Sequence, residues 1–403
     1  MPAPEPVVEL RAEKVVAGGE ALCREPSGRV VLVGGLLPGE TGLVALADER
    51  PRLARGRLVS VLDPSPGRIT PACRHVARGC GGCPWAHVEP ATQRDLKRAV
   101  VAEALARTGG IEAEVEPGPV LATDGYRTTL RLAVTGRAAA GRAAAGRAAD
   151  GPAGGLGFRR ARSHDVVDTP DCLVAHPALA ELLACVGAPG AREVQLRVGA
   201  ATGERSATAI GAGRLTGVPA GVATGPEAVV HEVIAGRRLR ISAGSFFQTR
   251  ADGAAALVAV VADGLADAPD GPFLDAYGGV GLFAATVAGD RPVTIVESSR
   301  SSCADAAVNL PDARIATVPF ERWSPTPAAV VVADPPRAGL GRDGARVLAA
   351  TGASRVALVS CDPVAHARDL ALLLADGFER RRTVLVELFP HTPHVEVVSI
   401  LAR

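Results

Sequence analysis

The stretch that decides the fold is PFLDAYGGVGLFA, residues 272–284. Its apolar start ends in Asp275, and a glycine-rich turn leads into a second apolar segment. This order is typical of a buried strand whose carboxyl end opens, through a tight turn, into a helix that binds a nucleotide. Gly279 and Gly281 also fit the start of the dinucleotide fingerprint G-x-G-x-x-A, with Glu297 near the expected offset. The stretch therefore predicts a nucleotide site at one edge of a sheet.

Apolar runs of strand length recur after this stretch, with helical segments between them. They lie at 293–297, 328–334 and 355–360, and each is followed by, or ends in, a polar residue of the kind found in active sites. Alternation of buried strands and helices is typical of a doubly wound, mostly parallel sheet. We therefore expect an α/β domain over residues 241–403.

The cofactor of this domain has two candidates. A nicotinamide nucleotide would suit the glycine pattern, and Glu297 suits a ribose diol in either case. S-adenosylmethionine is favoured because Asp275 can hold the ammonium group of a methionine moiety. The later motifs Asp-Pro-Pro-Arg (334–337) and Ser-Cys-Asp-Pro (360–363) have no role in hydride transfer.

Cys361 is the candidate nucleophile. It directly follows an apolar run and stands at a turn marked by Pro363, which places its thiol at the mouth of the predicted sheet. A second motif, His-Val-Glu, puts His394 and Glu396 on one face of a predicted strand. A thiolate and a carboxylate at strand ends indicate covalent chemistry coupled to proton removal.

Two shorter motifs bear on the substrate. Asp-Pro-Pro followed by an aromatic residue is typical of enzymes that methylate amino groups of bases, but here Arg337 takes the aromatic position. This argues against an exocyclic amine as the target, although Asp334 can still accept a hydrogen bond from a base N–H. In Ser-Phe-Phe-Gln (245–248), Gln248 can reach a ligand.

Four of the eight cysteines form a three-plus-one pattern, with three close together and the fourth far downstream. The first three are separated by six residues and then by Gly-Gly, which lets backbone N–H groups approach sulfur. This arrangement is closer to iron–sulfur ligation than to paired zinc elements, although zinc remains an alternative. The four candidate ligands are Cys73, Cys80, Cys83 and Cys172.

The rest of the 403-residue chain divides in two. Residues 1–63 hold short apolar runs at spacings near ten residues with Gly and Pro breaks, which predicts a small OB-like barrel. Residues 64–240 are expected to be α+β, with a helix over 90–110 that packs on the catalytic domain. A Gly-Arg-Ala tract at 136–155 predicts a disordered hairpin loop.

Charge and composition limit which partners the protein could bind and where in the cell it could act. The net charge is only +1, yet residues 126–163 carry eight arginines and one acid, a local charge of +7. This cluster is either a solvated surface loop or a patch that binds nucleic acid. No signal-like start and no run of eighteen apolar residues occurs, so we expect a cytoplasmic protein without membrane contact, acting as a monomer.

Together these motifs, in their order and spacing, resemble the RNA 5-methyluridine methyltransferase family, in particular its iron–sulfur branch that acts on 23S ribosomal RNA. The resemblance covers nearly the whole chain. It implies a class I methyltransferase fold, an RNA-binding barrel of the TRAM type and a central iron–sulfur domain. The chain departs from the family pattern at Gly278, where a cysteine is common, and in the insertion at 136–155.

The resemblance also implies an activity and a set of residues. The expected reaction is methylation of uridine C5 in RNA, with ribosomal RNA preferred over transfer RNA, through a covalent bond between Cys361 and uracil C6. The alternative is an RNA-binding iron–sulfur protein that has lost catalysis, against which the presence of Cys361 and Glu396 counts. Glu396 is the expected proton acceptor, and the four cysteines are the expected ligands of a [4Fe-4S] cluster. The residues expected at S-adenosylmethionine are Gln248, Tyr277, Glu297 and Asp334.

Overall fold

The computed structural model describes residues 6–47, 50–135 and 154–403, so most of the predicted loop at 136–155 lies outside the described residues. No helix within these ranges is both long and apolar enough to cross a membrane. The strands of the first half are β1 (Val7–Val15), β2 (Ala21–Arg24), β3 (Val30–Gly34), β4 (Thr41–Ala47), β5 (Leu53–Asp63), β6 (Glu116–Pro117), β7 (Thr129–Val134), β8 (Leu156–Arg159), β9 (Val166–Asp168), β10 (Glu193–Val198) and β11 (Arg205–Ile210). Those of the second half are β12 (Val222–Thr224), β13 (Val229–Ile234), β14 (Arg237–Ser242), β15 (Phe273–Ala276), β16 (Val293–Glu297), β17 (Arg314–Thr317), β18 (Val330–Ala333), β19 (Arg355–Ser360), β20 (Glu379–Leu385) and β21 (Val397–Ala402). The α-helices are α1 (Arg74–Ala77), α2 (Pro90–Ala104), α3 (Ala180–Cys185), α4 (Ala251–Gly264), α5 (Leu282–Val287), α6 (Arg300–Asn309), α7 (Gly341–Ala350) and α8 (Pro363–Ala375).

The N-terminal strands form a closed barrel in the order β1-β2-β3-β5-β4. Their side chains alternate between a buried interior and the surface, and Leu10, Val31, Val33 and Val44 are among those that fill the interior. Closure leaves no unpaired strand edge. The predicted barrel is therefore confirmed, although the short strand β2 was not predicted.

The largest sheet has eight strands in the order β17-β16-β15-β18-β19-β21-β20-β6. The first five are mutually parallel, and β21 runs antiparallel to both of its neighbours. One hydrophobic core lies on each face, because successive residues such as Phe273 and Leu274 point to opposite sides. The predicted doubly wound α/β arrangement is confirmed.

A second sheet of six strands, ordered β12-β11-β10-β7-β8-β9, lies between the barrel and the large sheet in sequence. Helix α3 and the turn before it cover one face, where Leu179 and Leu182 pack with Leu130 and Leu196. All its pairings are antiparallel except β11 with β12. Residues 154–224 therefore belong to an α+β arrangement, as the sequence predicts.

Helix α2 precedes that sheet in sequence but packs on the large one. It begins where the Glu89 carboxylate accepts a hydrogen bond from Thr92 N at 2.9 Å, and it continues into a π-helical turn at Leu105–Gly109. Val101 and Leu105 are fully buried in the core beneath the large sheet. The helix predicted over 90–110 thus exists, and its C-terminal half is part of the α/β core.

The barrel depends on one buried acid. Glu40 is fully buried, and its carboxylate accepts hydrogen bonds from Leu37 N at 2.7 Å, from Ser65 N at 3.0 Å and from the Arg68 guanidinium at 2.6 Å. These contacts join the β3–β4 turn to the chain that leaves the barrel. Removing the carboxylate leaves both amides without their acceptor and leaves the Arg68 guanidinium with only Gly35 O as its acceptor.

We expect Glu40→Ala to destabilise the barrel by about 3 kcal/mol, because breaking a buried ion pair strands the partner charge. Hydrogen exchange of the β3 and β4 amides measures this directly, since it reports the barrel apart from the rest of the chain. Glu13→Ala is the control, because its pair with Arg24 is exposed on both sides. Equal protection in the two variants would contradict the role given to Glu40.

Candidate active site

A cavity of 660 Å³ opens at the carboxyl ends of the parallel strands β15, β16, β18 and β19. Ligands of open α/β sheets bind at this edge, because the chain reverses direction there and leaves a crevice. The cavity brings together residues that are far apart along the chain. They are Gln248, Tyr277, Glu297, Asp334, Cys361 and Glu396, the residues predicted from the sequence for catalysis and cofactor binding.

The nucleophile candidate and the base candidate are neighbours because of strand pairing. Ser360 at the end of β19 pairs with Val397 at the start of β21, in antiparallel register. Cys361 and Glu396 are the next residues outward on each chain, so they meet at the mouth of the cavity. His394 and Glu396 precede β21 and lie in a loop, so the prediction that they share a strand face is wrong, although both line the cavity.

Three carboxyl groups lie near one another at this edge of the sheet, and of these Asp334 and Glu396 line the cavity while Asp275 does not. Asp275 is fully buried, and its Oδ2 accepts a hydrogen bond from Ala284 N at 2.8 Å while its Oδ1 has no partner. Burial, together with the charge of Asp334, raises the pKa of Asp275 to about 7. Burial and the charge of Asp334 also raise the pKa of Glu396 well above its usual range. Four carboxyl groups line the cavity against two guanidinium groups, Arg127 and Arg337, so the site is suited to a cationic ligand.

The same environment acts on the thiol. Burial, followed by the charges of Glu396 and Asp334, raises the pKa of Cys361 to about 11, and the Arg337 guanidinium opposes this shift. At neutral pH the free protein therefore keeps the thiol protonated. A neighbouring positive charge would be needed to make the thiolate accessible.

The glycine turn after β15 is shaped to approach a ligand closely. Tyr277 has a positive φ of 59°, and Gly279 and Gly281 follow with φ of 56° and 87°. The Tyr277 hydroxyl donates to Glu321 Oε1 at 2.6 Å, and Gly279 N donates to Glu297 Oε2 at 3.0 Å. Two carboxylates thus hold the turn in a conformation that most residues avoid.

The turn that carries Gln248 is anchored by a buried ionic network. Arg197 donates to the backbone oxygens of Ser242 and Ser245, each at 2.9 Å. Asp305, fully buried, accepts from Ser245 Oγ at 2.6 Å and also pairs with Arg240. These contacts position residues 245–248 at the cavity rim, where Gln248 lies among the lining residues.

Sequence reasoning did not single out three further lining residues, Arg127, Glu321 and Phe389. Arg127 lines this cavity and also a second one described below. His394, which the sequence did point to, has its pKa lowered to about 4 by burial and by nearby cations, so its imidazole is neutral at neutral pH. No motif marks Arg127 or Glu321, because tertiary packing alone brings them to the site.

All four candidate ligand cysteines line one separate cavity of 210 Å³, namely Cys73, Cys80, Cys83 and Cys172. Burial raises the pKa of Cys83 to about 12, and the other three thiols contribute further. Within residues 6–47, 50–135 and 154–403, however, no three His, Cys, Asp or Glu side chains are arranged so that they could hold a metal ion. The four thiols therefore share one cavity, but they do not converge as ligands of a single ion.

We expect Asp275→Asn to raise the stability of the free protein at pH 7 by on the order of 1–4 kcal/mol, because a pKa raised by one unit costs the charged form about 1.4 kcal/mol. The folded-state pKa lies above the unfolded value of 3.8, so the acid costs stability as pH rises from about 4 to about 7. Thermal unfolding at pH 7 and at pH 5 measures the effect, which should shrink at the lower pH.

The exposed Asp270, on the same approach to β15, supplies the control variant Asp270→Asn. That variant should change stability little at either pH. If Asp275→Asn is less stable than the wild type at pH 7, or is stabilised equally at pH 7 and pH 5, the ionised Asp275 carboxylate is not what lowers the stability of the free protein.

Comparison with known proteins identifies the family. No protein-family model matches the chain. A protein named as an uncharacterized RNA methyltransferase from Streptomyces coelicolor is 33% identical, over 98% of this chain and 92% of its own. A 23S rRNA (uracil(1939)-C(5))-methyltransferase from Chromohalobacter salexigens is 32% identical, over 98% of this chain and 89% of its own.

A solved structure shows the fold. The tRNA (uracil-54, C5)-methyltransferase of Pyrococcus abyssi, in complex with S-adenosyl-L-homocysteine, aligns with a TM-score of 0.74 and 24% identity, covering 98% of this chain and 99% of that one. The large sheet thus has the class I methyltransferase fold. Because relatives above 30% identity span almost the whole chain, this protein is an RNA methyltransferase and belongs to the RNA 5-methyluridine methyltransferase family.

Proposed function

We propose that this enzyme transfers a methyl group from S-adenosylmethionine to C5 of a uridine in RNA, through a transient covalent bond between Cys361 and uracil C6. The observation that carries the proposal is that Cys361 and Glu396 directly flank the paired residues Ser360 and Val397 of β19 and β21, and line the cavity that Asp334 also lines. A thiol next to a carboxylate suits a reaction in which one group adds to the base and the other removes a proton.

Cys361 makes C5 reactive. Uracil C5 is a poor nucleophile, and addition of the Cys361 thiolate to C6 turns C5 into an enolate-like carbon. That carbon would take the methyl group of the bound cofactor, whose S–CH3 bond would break with its electron pair left on sulfur as a neutral thioether. Asp334, partly exposed to the cavity, accepts a hydrogen bond from the base N–H and so orients the ring for attack.

Glu396 completes the reaction. After methylation, C5 carries both a proton and the new methyl group. The Glu396 carboxylate takes the proton, the C5–H electrons form the C5=C6 double bond, and the C6–S bond breaks to release Cys361. Its raised pKa makes Glu396 a stronger base than an exposed carboxylate, which suits it to this task.

The residues of the cavity fit S-adenosylmethionine. The cofactor carries positive charge, and the buried Asp275, although it does not line the cavity, keeps an unpaired oxygen whose charge a nearby ammonium group would stabilise. Glu297 at the end of β16 suits the ribose diol, and Tyr277 and Gln248 line the same cavity. Binding of a cation would also relieve the crowding of carboxylates described above.

We propose 23S ribosomal RNA as the substrate, with transfer RNA as the alternative. One relative is named for a 23S ribosomal uracil, and the solved structure is named for a tRNA uracil. We further propose the division into an RNA-binding barrel (1–63), a central domain (64–240) and the catalytic domain (241–403). Contacts to phosphates would offset the cost of unstacking the target base, about a few kcal/mol.

We propose that Cys73, Cys80, Cys83 and Cys172 ligate a [4Fe-4S] cluster. Their shared cavity and their mutual electrostatic effect on one another's pKa support this, because a bound cluster would stabilise all four as thiolates. A cluster is larger than one ion, so its ligands need not converge on a single point.

Cys361 and Glu396 should fail in different ways, because they act at different steps. Cys361→Ala should bind S-adenosylmethionine and RNA but form no covalent adduct. Glu396→Gln should add to the base and methylate it, then stall, because the C5 proton cannot leave. It should therefore accumulate a protein–RNA conjugate that survives a denaturing gel and requires both S-adenosylmethionine and a uridine-containing RNA.

The double variant of Cys361→Ala and Glu396→Gln is the control and should trap nothing. Normal turnover by Glu396→Gln, or trapping through another residue, would show that these roles are misassigned.

Mapping of 5-methyluridine in ribosomal and transfer RNA from a deletion strain identifies the substrate. If the deletion strain lacks 5-methyluridine at no position of either RNA, the proposed reaction is contradicted.

Protein purified without oxygen should be dark and contain iron and sulfide in a ratio fitting one [4Fe-4S] cluster per chain. Cys80→Ser should lose most of this iron, because one ligand is missing. Cys185→Ser is the matched control, since Cys185 does not line the cysteine cavity, and it should keep its iron. Colourless protein that contains only zinc would rule out the cluster.

A further inference from the structure

One loop carries the proposed base, and its anchors lie outside the catalytic domain. Residues 386–396, here called the Glu396 loop, connect β20 to β21. A hydrogen bond of 2.8 Å from Val386 N to Glu396 O closes the loop at its base. Phe389, His394 and Glu396 from this loop all line the active-site cavity. The contacts that fix the far end of this loop therefore determine the position of the cavity wall that includes Glu396.

Helix α2 fixes that far end with two side chains one turn apart. Gln93 and Lys97 are each 1% exposed, which is unusual for these residue types. Gln93 Oε1 accepts from His391 N at 2.6 Å, and its Nε2 donates to Val88 O at 2.7 Å. Gln93 thus joins the tip of the loop to the chain segment that enters α2.

Lys97 holds the loop nearer its start. Its Nζ donates to Glu387 Oε1 at 2.6 Å and to Phe389 O at 2.9 Å. Buried charges of this kind persist only where they are paired and hydrogen-bonded. The backbone at His391 is in the left-handed region, with φ of 63°, so the loop needs these anchors to keep its shape.

A third contact links the loop to the cysteines. Trp85 N donates to His391 O at 2.8 Å, so both backbone polar groups of His391 are bonded within the segment that runs from Trp85 to Gln93. His391 also lines the cysteine cavity. Only two residues separate His391 from His394, and Glu396 follows two positions later. The loop therefore runs from the wall of one cavity to the wall of the other.

We infer that Gln93 and Lys97 are positioning residues for proton removal at C5: they hold the Glu396 loop so that the carboxylate can reach the proton. The inference rests on the proposed function, in which Glu396 takes this proton as the C5=C6 bond forms and the C6–S bond to Cys361 breaks. Neither side chain lines the active-site cavity, so neither acts on the base directly.

The test is Gln93→Met, which keeps the length of the side chain and removes its hydrogen bonds. We expect kcat to fall about 100-fold, the effect of displacing a reacting group by about 1 Å, with an unchanged Kd for S-adenosylmethionine. The covalent protein–RNA conjugate should accumulate relative to the wild type, because addition and methylation proceed while release is slowed. A merely structural role would not favour the conjugate.

Arg98→Met is the matched control. Arg98 lies on the same helix, but its guanidinium donates to Val115 O and does not contact the loop. It should neither slow release nor accumulate conjugate. Should Gln93→Met fail to fold, the double variant Lys97→Met with Glu387→Met replaces the ion pair by apolar groups of similar size and leaves no unpaired charge. Phe389 O keeps its bond from Thr392 Oγ1 at 2.8 Å in that variant.

Glu396→Gln in the same assay separates the two proposals. If Glu396→Gln traps no conjugate, the proposed function is wrong. If Glu396→Gln traps conjugate while folded Gln93→Met, or the folded double variant, turns over like the wild type, the positioning inference is wrong and the function stands. Conjugate in both the Glu396 variant and an anchor variant, with cofactor binding intact, supports the inference.

Discussion

The antiparallel pairing of β21 with β19 is the constraint on which the active site depends. Because β21 runs opposite to the parallel strands, its first residues, and not its last, lie at the carboxyl edge of those strands. The register of Ser360 with Val397 then places Cys361 beside Glu396. A shift of one residue would turn one of these side chains to the other face of the sheet. The rest of the chain either supports this edge or covers it.

The carboxyl groups at this edge of the large sheet lower the stability of the free protein. Asp275, Asp334 and Glu396 are carboxyl groups whose pKa values are raised, chiefly because they are buried. Such pKa shifts are common where a site is shaped for a charged ligand and not for the free protein. The high pKa of Cys361 has the same origin, and positive charge in addition to that of Arg337 would lower it.

The candidate active site depends on helix α2 as well as on the large sheet. Helix α2 belongs by sequence to the central region, yet its apolar face completes one core of the large sheet and its polar face holds the Glu396 loop. The cysteine cavity adjoins the same loop at His391. Cys73, Cys80 and Cys83 are therefore distant from the catalytic domain in sequence but contiguous with it in the structure. The loop that carries Glu396 thus borders both cavities.

The sequence alone determined the barrel, the doubly wound sheet, the family and the enzyme class, because these follow from local periodicity and from motifs such as residues 272–284. It also supplied the six residues that meet in one cavity, although their roles, and the cluster, stay predictions. Tertiary structure decided what local patterns cannot encode: the loop placement of Glu396, the presence of Arg127 at both cavities and the anchoring of the loop by Gln93. The physical reason is that these contacts join segments up to 298 positions apart, and only the packed sheet order brings them together.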